Sequence, residues 1–167
     1  MDAEHPCVVQ IMPGSTMNIA IGSDHAGFAQ KQGIVSHLKE AGHSVQDHGT
    51  HEEQPCDYPP IARSVAESVV GGKADLGILL CGTGIGMSIA ANKVPGVRAA
   101  LCVMEQQAHD TRPHNDSNVL VLAGRLNSLE TNLRLLDIWL SAGFSGEERH
   151  ARRVAQIIRI ERDHLKS

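Results

Sequence analysis

The chain reads as an α/β protein, a three-layer sandwich in which a five-stranded parallel sheet carries helices on both faces. Short β-branched runs alternate with amphipathic stretches along nearly the whole length. Aromatic residues make up only 2% while Ala, Val, Ile, Leu and Gly are plentiful, the composition that lets helices close on a buried parallel sheet. Several apolar runs also stop abruptly at polar or glycine-rich loops, as strands do where such a sheet meets a ligand.

The first strand is Met17 to Gly22, followed by a helix from Phe28 to Ala41 and a short strand from Ser44 to Gln46, a βαβ unit. Pro59 and Pro60 stand where a helix begins, since their missing amides are not needed there; Ile61 to Val70 carries that helix and Gly71-Gly72 ends it. Asp75 to Leu80 is a compact apolar strand, halted by Cys81-Gly82-Thr83-Gly84-Ile85-Gly86, with a helix from Met87 to Asn92. Val97 to Val103 and Asn118 to Leu122 supply two more strands, with a helix through Glu105 to Thr111 between them and another from Ser128 to Leu140 after them. The last segment, Glu147 to His164, is a charged helix with Val154, Ile157, Ile158 and Leu165 at roughly helical spacing, suited to packing on a partner subunit. The arrangement is Rossmann-like.

A length of 167 residues suits one hydrophobic core, and the division expected is an extension at 1–16, disordered, before a single domain at 17–167. A net charge of -4 with 20% charged residues leaves no need for a basic face, so nucleic acid is not an expected partner. No apolar run approaches the ~20 residues of a membrane span. Residues 1–16 carry acidic groups, a short apolar patch broken by Pro13 and no basic leader, and four cysteines show no CxxC pairing. Reduced thiols in a cytoplasmic setting are the expectation.

Ligands of open parallel sheets bind beyond the carboxyl ends of the strands. The first strand ends in Ser23-Asp24-His25 and the third in Cys81 and its glycine loop; the fifth is preceded by His114-Asn115-Asp116 and followed by Gly124-Arg125. Backbone amides before a helix can hold a phosphate or a developing oxyanion. This loop reads GxGxG after the third strand, with Met87 where a dinucleotide fingerprint needs its last glycine, and no GK[ST] follows. Both nucleotide-binding fingerprints therefore fail.

Cys81 adjoins amides that stabilise an anion, which makes it a candidate base or nucleophile. The alternative, a small buried hydrophobe, is the default for Cys7, Cys56 and Cys102. His48, His51 and Cys56 crowd one loop without the tight spacing of a zinc site, so a solvated loop is expected there. Pro113 and Asn115-Asp116 are expected to fix His114 in a turn at the sheet's active edge, shared with His25. His37, His43, His109, His150 and His164 read as surface residues. Arg149 and Arg153, four apart, share one helical face and could grip a phosphate, although a charged helix is more often simply solvated.

Taken together, GSDHAGF at 22–28, DYP at 57–59, CGTGIGMSIAANK at 81–93, HNDSNVL at 114–120 and GEERHARRV at 146–154 resemble the type B ribose-5-phosphate isomerases, in order over nine-tenths of the chain. The extension before Met17 is the main departure. The resemblance implies interconversion of ribose 5-phosphate and ribulose 5-phosphate through an enediolate, a step of the pentose phosphate pathway, with neither metal nor organic cofactor. It implies Cys81 as the base moving a proton between C2 and C1, and His114, aided by Asp24, as the group that opens the furanose ring. Amides of Gly82, Thr83, Gly84, Ile85 and Gly86 would stabilise the enediolate, with Thr83 also positioning the substrate. Asn115 would bind sugar hydroxyls, and His25, Arg125, Arg149 and Arg153 would serve the phosphate.

One branch of the family uses a glutamate at the position of Met87, so the chain resembles the cysteine branch. The likeness also implies a homodimer, or a dimer of dimers, with sites between subunits. Relatives acting on allose 6-phosphate or galactose 6-phosphate would keep the same cysteine and loop. A Cys-His hydrolase using the amides as an oxyanion hole and a non-catalytic sugar-phosphate binder are the readings from other classes.

Overall fold

The computed structural model describes residues 15–165; the expectations for Cys7 and for most of the 1–16 extension lie outside them. Five strands form one parallel sheet in the order β2-β1-β3-β5-β4. They are β1 (Asn18–Ser23), β2 (Ser44–Asp47), β3 (Leu76–Cys81), β4 (Ala99–Leu101) and β5 (Val119–Ala123). The helices are α1 (Phe28–Glu40), α2 (Tyr58–Val70), α3 (Ile85–Ala91), α4 (Glu105–Asn115), α5 (Leu129–Ser141) and α6 (Glu148–Leu165).

The central strands are buried on both sides, and their two-residue period sorts them into two cores. Ile19, Ile21, Ile78, Leu80, Leu120 and Leu122 face α1 and α5 with Ile34, Leu38, Leu135, Leu136 and Trp139. Ala20, Leu79, Val119 and Val121 face α2 and α3 with Ala62, Val65, Ala66, Met87 and Ala91. Cys81 belongs to this second face. Gly77 shows why small residues were needed: a methyl there would press on Val65, Val69 and Val119 at 3.0–3.1 Å.

Most element ends fall within two residues of expectation. The second helix starts earlier, at Tyr58, because Asp57 is extended and the prolines occupy its first turn. The fourth strand is only Ala99–Leu101. The fourth helix differs more, because it runs through Pro113 to Asn115 instead of stopping at Thr111. A proline near a helix end forfeits one hydrogen bond, and here the last turn is anchored independently. Buried Arg112 donates to the carbonyls of Ser117 and Ala142 and lies over the Trp139 ring, while Asp116 closes the helix with φ 49°.

Candidate active site

The sheet reverses its direction of growth between β1 and β3, since the chain leaves β1 toward β2 and returns on the other side to form β3. Ligands favour such switch points because flanking loops diverge and leave a crevice. Here the crevice is a cavity of about 500 Å³ lined by Asp24, His25, Cys81, Gly82, Thr83, Ile85, Gly86 and Arg125. These eight are sequence-predicted site residues, from three strand ends, and Ala26, Tyr58 and Ile89 complete the lining.

Its walls are tied together by backbone. Asp24 N donates to Leu80 O, Gly124 N to Cys81 O at 2.8 Å and Arg125 N to Gly82 O at 2.9 Å. Asp24 is buried, and its Oδ1 accepts the amides of Ala26 at 2.9 Å and Gly27 at 3.1 Å. That fixes the carboxylate while the residue still borders the cavity.

Cys81 is only 5% exposed. The Gly84 amide donates to its Sγ at 3.1 Å, a contact worth most when the sulfur is anionic. Gly84 adopts φ 77°, a left-handed conformation that favours glycine, and a Cβ there would run into Leu101 Cδ1. Cys102 makes the contrast, since burial pushes its thiol up to about 12. The default reading of a buried filler holds for Cys102. Cys56 is instead half-buried beside the site, and its amide donates to His25 Nδ1 at 3.3 Å. That bond leaves His25 Nε2 as the nitrogen carrying the proton in the neutral ring.

Tyr58 also lines the cavity, and a methyl on Gly86 would strike its ring at 2.6 Å. Sequence reasoning gave Tyr58 no role. Its place depends on α2 packing beside the glycine loop, which the local sequence does not signal.

The remaining predicted residues are elsewhere. A helix joining parallel neighbours runs back along the sheet, so the last turn of α4 lies at the amino edge of β5, not at the active edge expected for His114. Cys81 pairs with Ala123 at the carboxyl end of β5, and five strand residues put roughly 15 Å between these edges. His114 and Asn115 therefore do not meet Cys81 within one chain. Asn115 faces a separate groove with Leu101 and Met104 along the edge strand.

Helix α6 joins this second cluster. Ser145 N donates to Pro113 O, and the His150 ring packs on His114 with centroids 4.4 Å apart. His150, expected at the surface, is 3% exposed and bonds Ser145 Oγ through Nδ1 at 2.7 Å. Burial first, then the positive charge of Arg149 and the neighbouring His114, hold its ring below the usual histidine range. Extending the apolar stripe four residues back from Val154 would have found it. Arg149 and Arg153 flank it and are exposed, Arg149 pairing with Glu147 at 3.0 Å. In the 48–56 loop His51 is exposed, as expected of a solvated loop, whereas His48 and Cys56 are half-buried and His48 bonds Ser64 Oγ at 2.7 Å. Among the described residues no group of three His, Cys, Asp or Glu could hold a metal ion, and no helix is long and apolar enough to cross a membrane.

The chain is similar to known proteins over most of its length. Ribose-5-phosphate isomerase B of Escherichia coli K12 is 48% identical over 143 residues, 86% of this chain and 95% of that protein. The structure of the Clostridium thermocellum ribose-5-phosphate isomerase B superposes with a TM-score of 0.87 at 49% identity, covering 89% of this chain and 99% of that one. The Mycoplasma genitalium enzyme, solved with bound ribulose 5-phosphate, gives 0.83 at 44% identity over 87% and 97% of the two chains. Residues 19–157 match the family described as Ribose/Galactose Isomerase. With its β1/β3 cavity, glycine loop and cysteine in place, this chain belongs to that family.

Proposed function

We propose that the protein interconverts ribose 5-phosphate and ribulose 5-phosphate, a step of the pentose phosphate pathway, and works as a homodimer in the cytoplasm. The carrying observation is the Gly84 amide held on Cys81 Sγ at the floor of the cavity. Such a loop can accept negative charge first on the sulfur and then on the substrate.

In the open-chain aldose, the Cys81 thiolate takes the C2 proton as the C1 carbonyl becomes an oxyanion, giving an enediolate. Amides of the 82–86 loop stabilise that oxygen, Thr83 helps position the sugar, and Cys81 returns the proton to C1 while the O2 proton passes to O1, so that C2 becomes the ketone and O1 the hydroxyl. Proton-transfer groups of this kind contribute roughly 100- to 10,000-fold each. His114, with Asp24, opens the furanose beforehand; Asn115 holds hydroxyls, and His25, Arg125, Arg149 and Arg153 hold the phosphate.

The separation of His114 from Cys81 supports the dimer. A second copy must bring His114, Asn115, Arg149 and Arg153 to the cavity of the first. Exposed Ile85 and Ile89 of the cavity lining, Leu126 next to Arg125, and Met104 of the groove that holds Asn115 supply an apolar surface for that contact.

The test is conversion of ribose 5-phosphate by purified protein in EDTA, with allose 6-phosphate and galactose 6-phosphate run alongside. Preferential pentose turnover is expected. A rate at least as high on either hexose phosphate would move the assignment to a six-carbon isomerase, and binding without turnover of any sugar would make it a sugar-phosphate binder.

A further inference from the structure

Lys31 is a fully buried lysine that the reaction above does not use. Its Nζ donates to both oxygens of Asp47, at 2.6 and 2.8 Å, and to the carbonyl of Thr50 at 2.7 Å, so all three protons are engaged. The Phe28 ring lies 5.7 Å away. Only the lysine is buried, Asp47 being partly exposed, and stability alone does not call for a charge at that buried position, since apolar replacement of buried charges is often neutral.

What the pair grips is the backbone beside the site. Asp47 Oδ1 also accepts the Gly49 amide at 2.9 Å. Gly49 O in turn receives the Ser23 amide, and Thr50 N donates to Ser23 O. The buried Ser23 hydroxyl has no partner among the described residues, so this side of Ser23 is held through its backbone. The next residue is Asp24, whose carboxylate borders the cavity.

We propose that Lys31 and Asp47 are positioning residues that fix Asp24 for ring opening, by clamping residues 49 and 50 onto Ser23. The inference rests on the isomerase reading. It also distinguishes two directions of one reaction. Ribose 5-phosphate is bound as a closed furanose, whereas ribulose 5-phosphate has no free hydroxyl able to close a five-membered ring on its ketone. A fault confined to ring opening therefore slows the aldose direction, while the ketose direction can release open-chain aldose that cyclises in solution.

The experiment compares Lys31→Met and the double variant Lys31→Met/Asp47→Asn with the unaltered protein in both directions. The double variant leaves no carboxylate without its lysine and keeps an acceptor for the Gly49 amide, which covers a failure of the single variant to fold. Displacement of a group by a fraction of an ångström to an ångström predicts an aldose-direction kcat lowered about 10- to 100-fold, with KM and ketose-direction turnover changed less than about threefold. In an Asp24→Asn background, Lys31→Met should cause no further loss.

Equal losses in both directions, an additive loss with Asp24→Asn, or unchanged rates in folded variants would each overturn the clamp. Unaltered protein that converts neither pentose phosphate would instead remove the isomerase reading. Hydrogen exchange at the Ser23 and Thr50 amides then still judges the clamp: faster exchange in the variants supports it, and unchanged exchange overturns it.

Discussion

The β1/β3 crevice and the α4/α6 cluster carry the two halves of one proposed site, and they are built by different means. In the crevice, strand ends cross-linked by backbone hydrogen bonds place Asp24, Cys81 and Arg125, and glycines let the loop approach the sulfur. In the cluster, His114, Asn115, Arg149 and Arg153 hang from helix ends, organised by a ring contact and a serine. The first half is preformed by the sheet. The second is more open to solvent, and in the proposed homodimer a second copy would join it to the cavity.

The strongest test of this division mixes two dead enzymes. Cys81→Ala and His114→Asn should each lose at least about a thousandfold in ribose 5-phosphate turnover, since each removes a proton-transfer group. After mixing and subunit exchange, the mixture should recover roughly a quarter of normal activity, because about half of the dimers are hybrids and one of two sites in each hybrid is intact. No recovery, with exchange verified by mass spectrometry, would break the comparison by locating both groups in one chain's site.

Gly84→Ala attacks the preformed half. The left-handed backbone and the collision with Leu101 should cost about 1–3 kcal/mol in stability by chemical denaturation, together with a larger loss of kcat as the amide leaves Cys81. A stable, fully active variant would show that the loop's placement is unimportant.

Arg149→Ala and Arg153→Ala sharpen the other half. Each should raise KM for ribose 5-phosphate about tenfold with a smaller change in kcat, as expected for a charge-assisted phosphate contact, while Arg152→Ala should leave both constants near normal.

The smallest effect concerns pH. The folded His150 ring lies below its unfolded value near 6.5, so the unfolded chain binds the extra proton first. The contribution is therefore present at pH 7 and lost as pH falls from about 6.5 through the lower folded value. The melting temperature should drop on acidification in this window, and less so in His150→Gln, which titrates nothing there.

The sheet and the first half of the site were legible because both follow local rules. Apolar runs ending in Asp24 or Cys81 announce strand ends, and in an open parallel sheet these are where ligands bind. His114 was misplaced although its sequence position held the answer: a residue preceding a strand of a parallel sheet sits at the amino edge, opposite the ligands. Pro113 added to the error by suggesting a turn where Arg112 and Trp139 hold a helix. His150 was overlooked because a charged helix looks solvated, and its burial depends on α4 packing against it. Tyr58 needed the approach of α2 to Gly86, a contact between elements that no local pattern records.

The contrast between Cys81 and Cys102 has a pharmacological consequence. A thiol held near 12 stays protonated at any physiological pH, whereas Cys81 faces a cavity with an amide ready to steady its anion. With the proposed sugar-phosphate site, an electrophile shaped like that substrate would be brought to Cys81 and not to Cys102. Of these two buried cysteines, the fold has already chosen which one a covalent inhibitor should address.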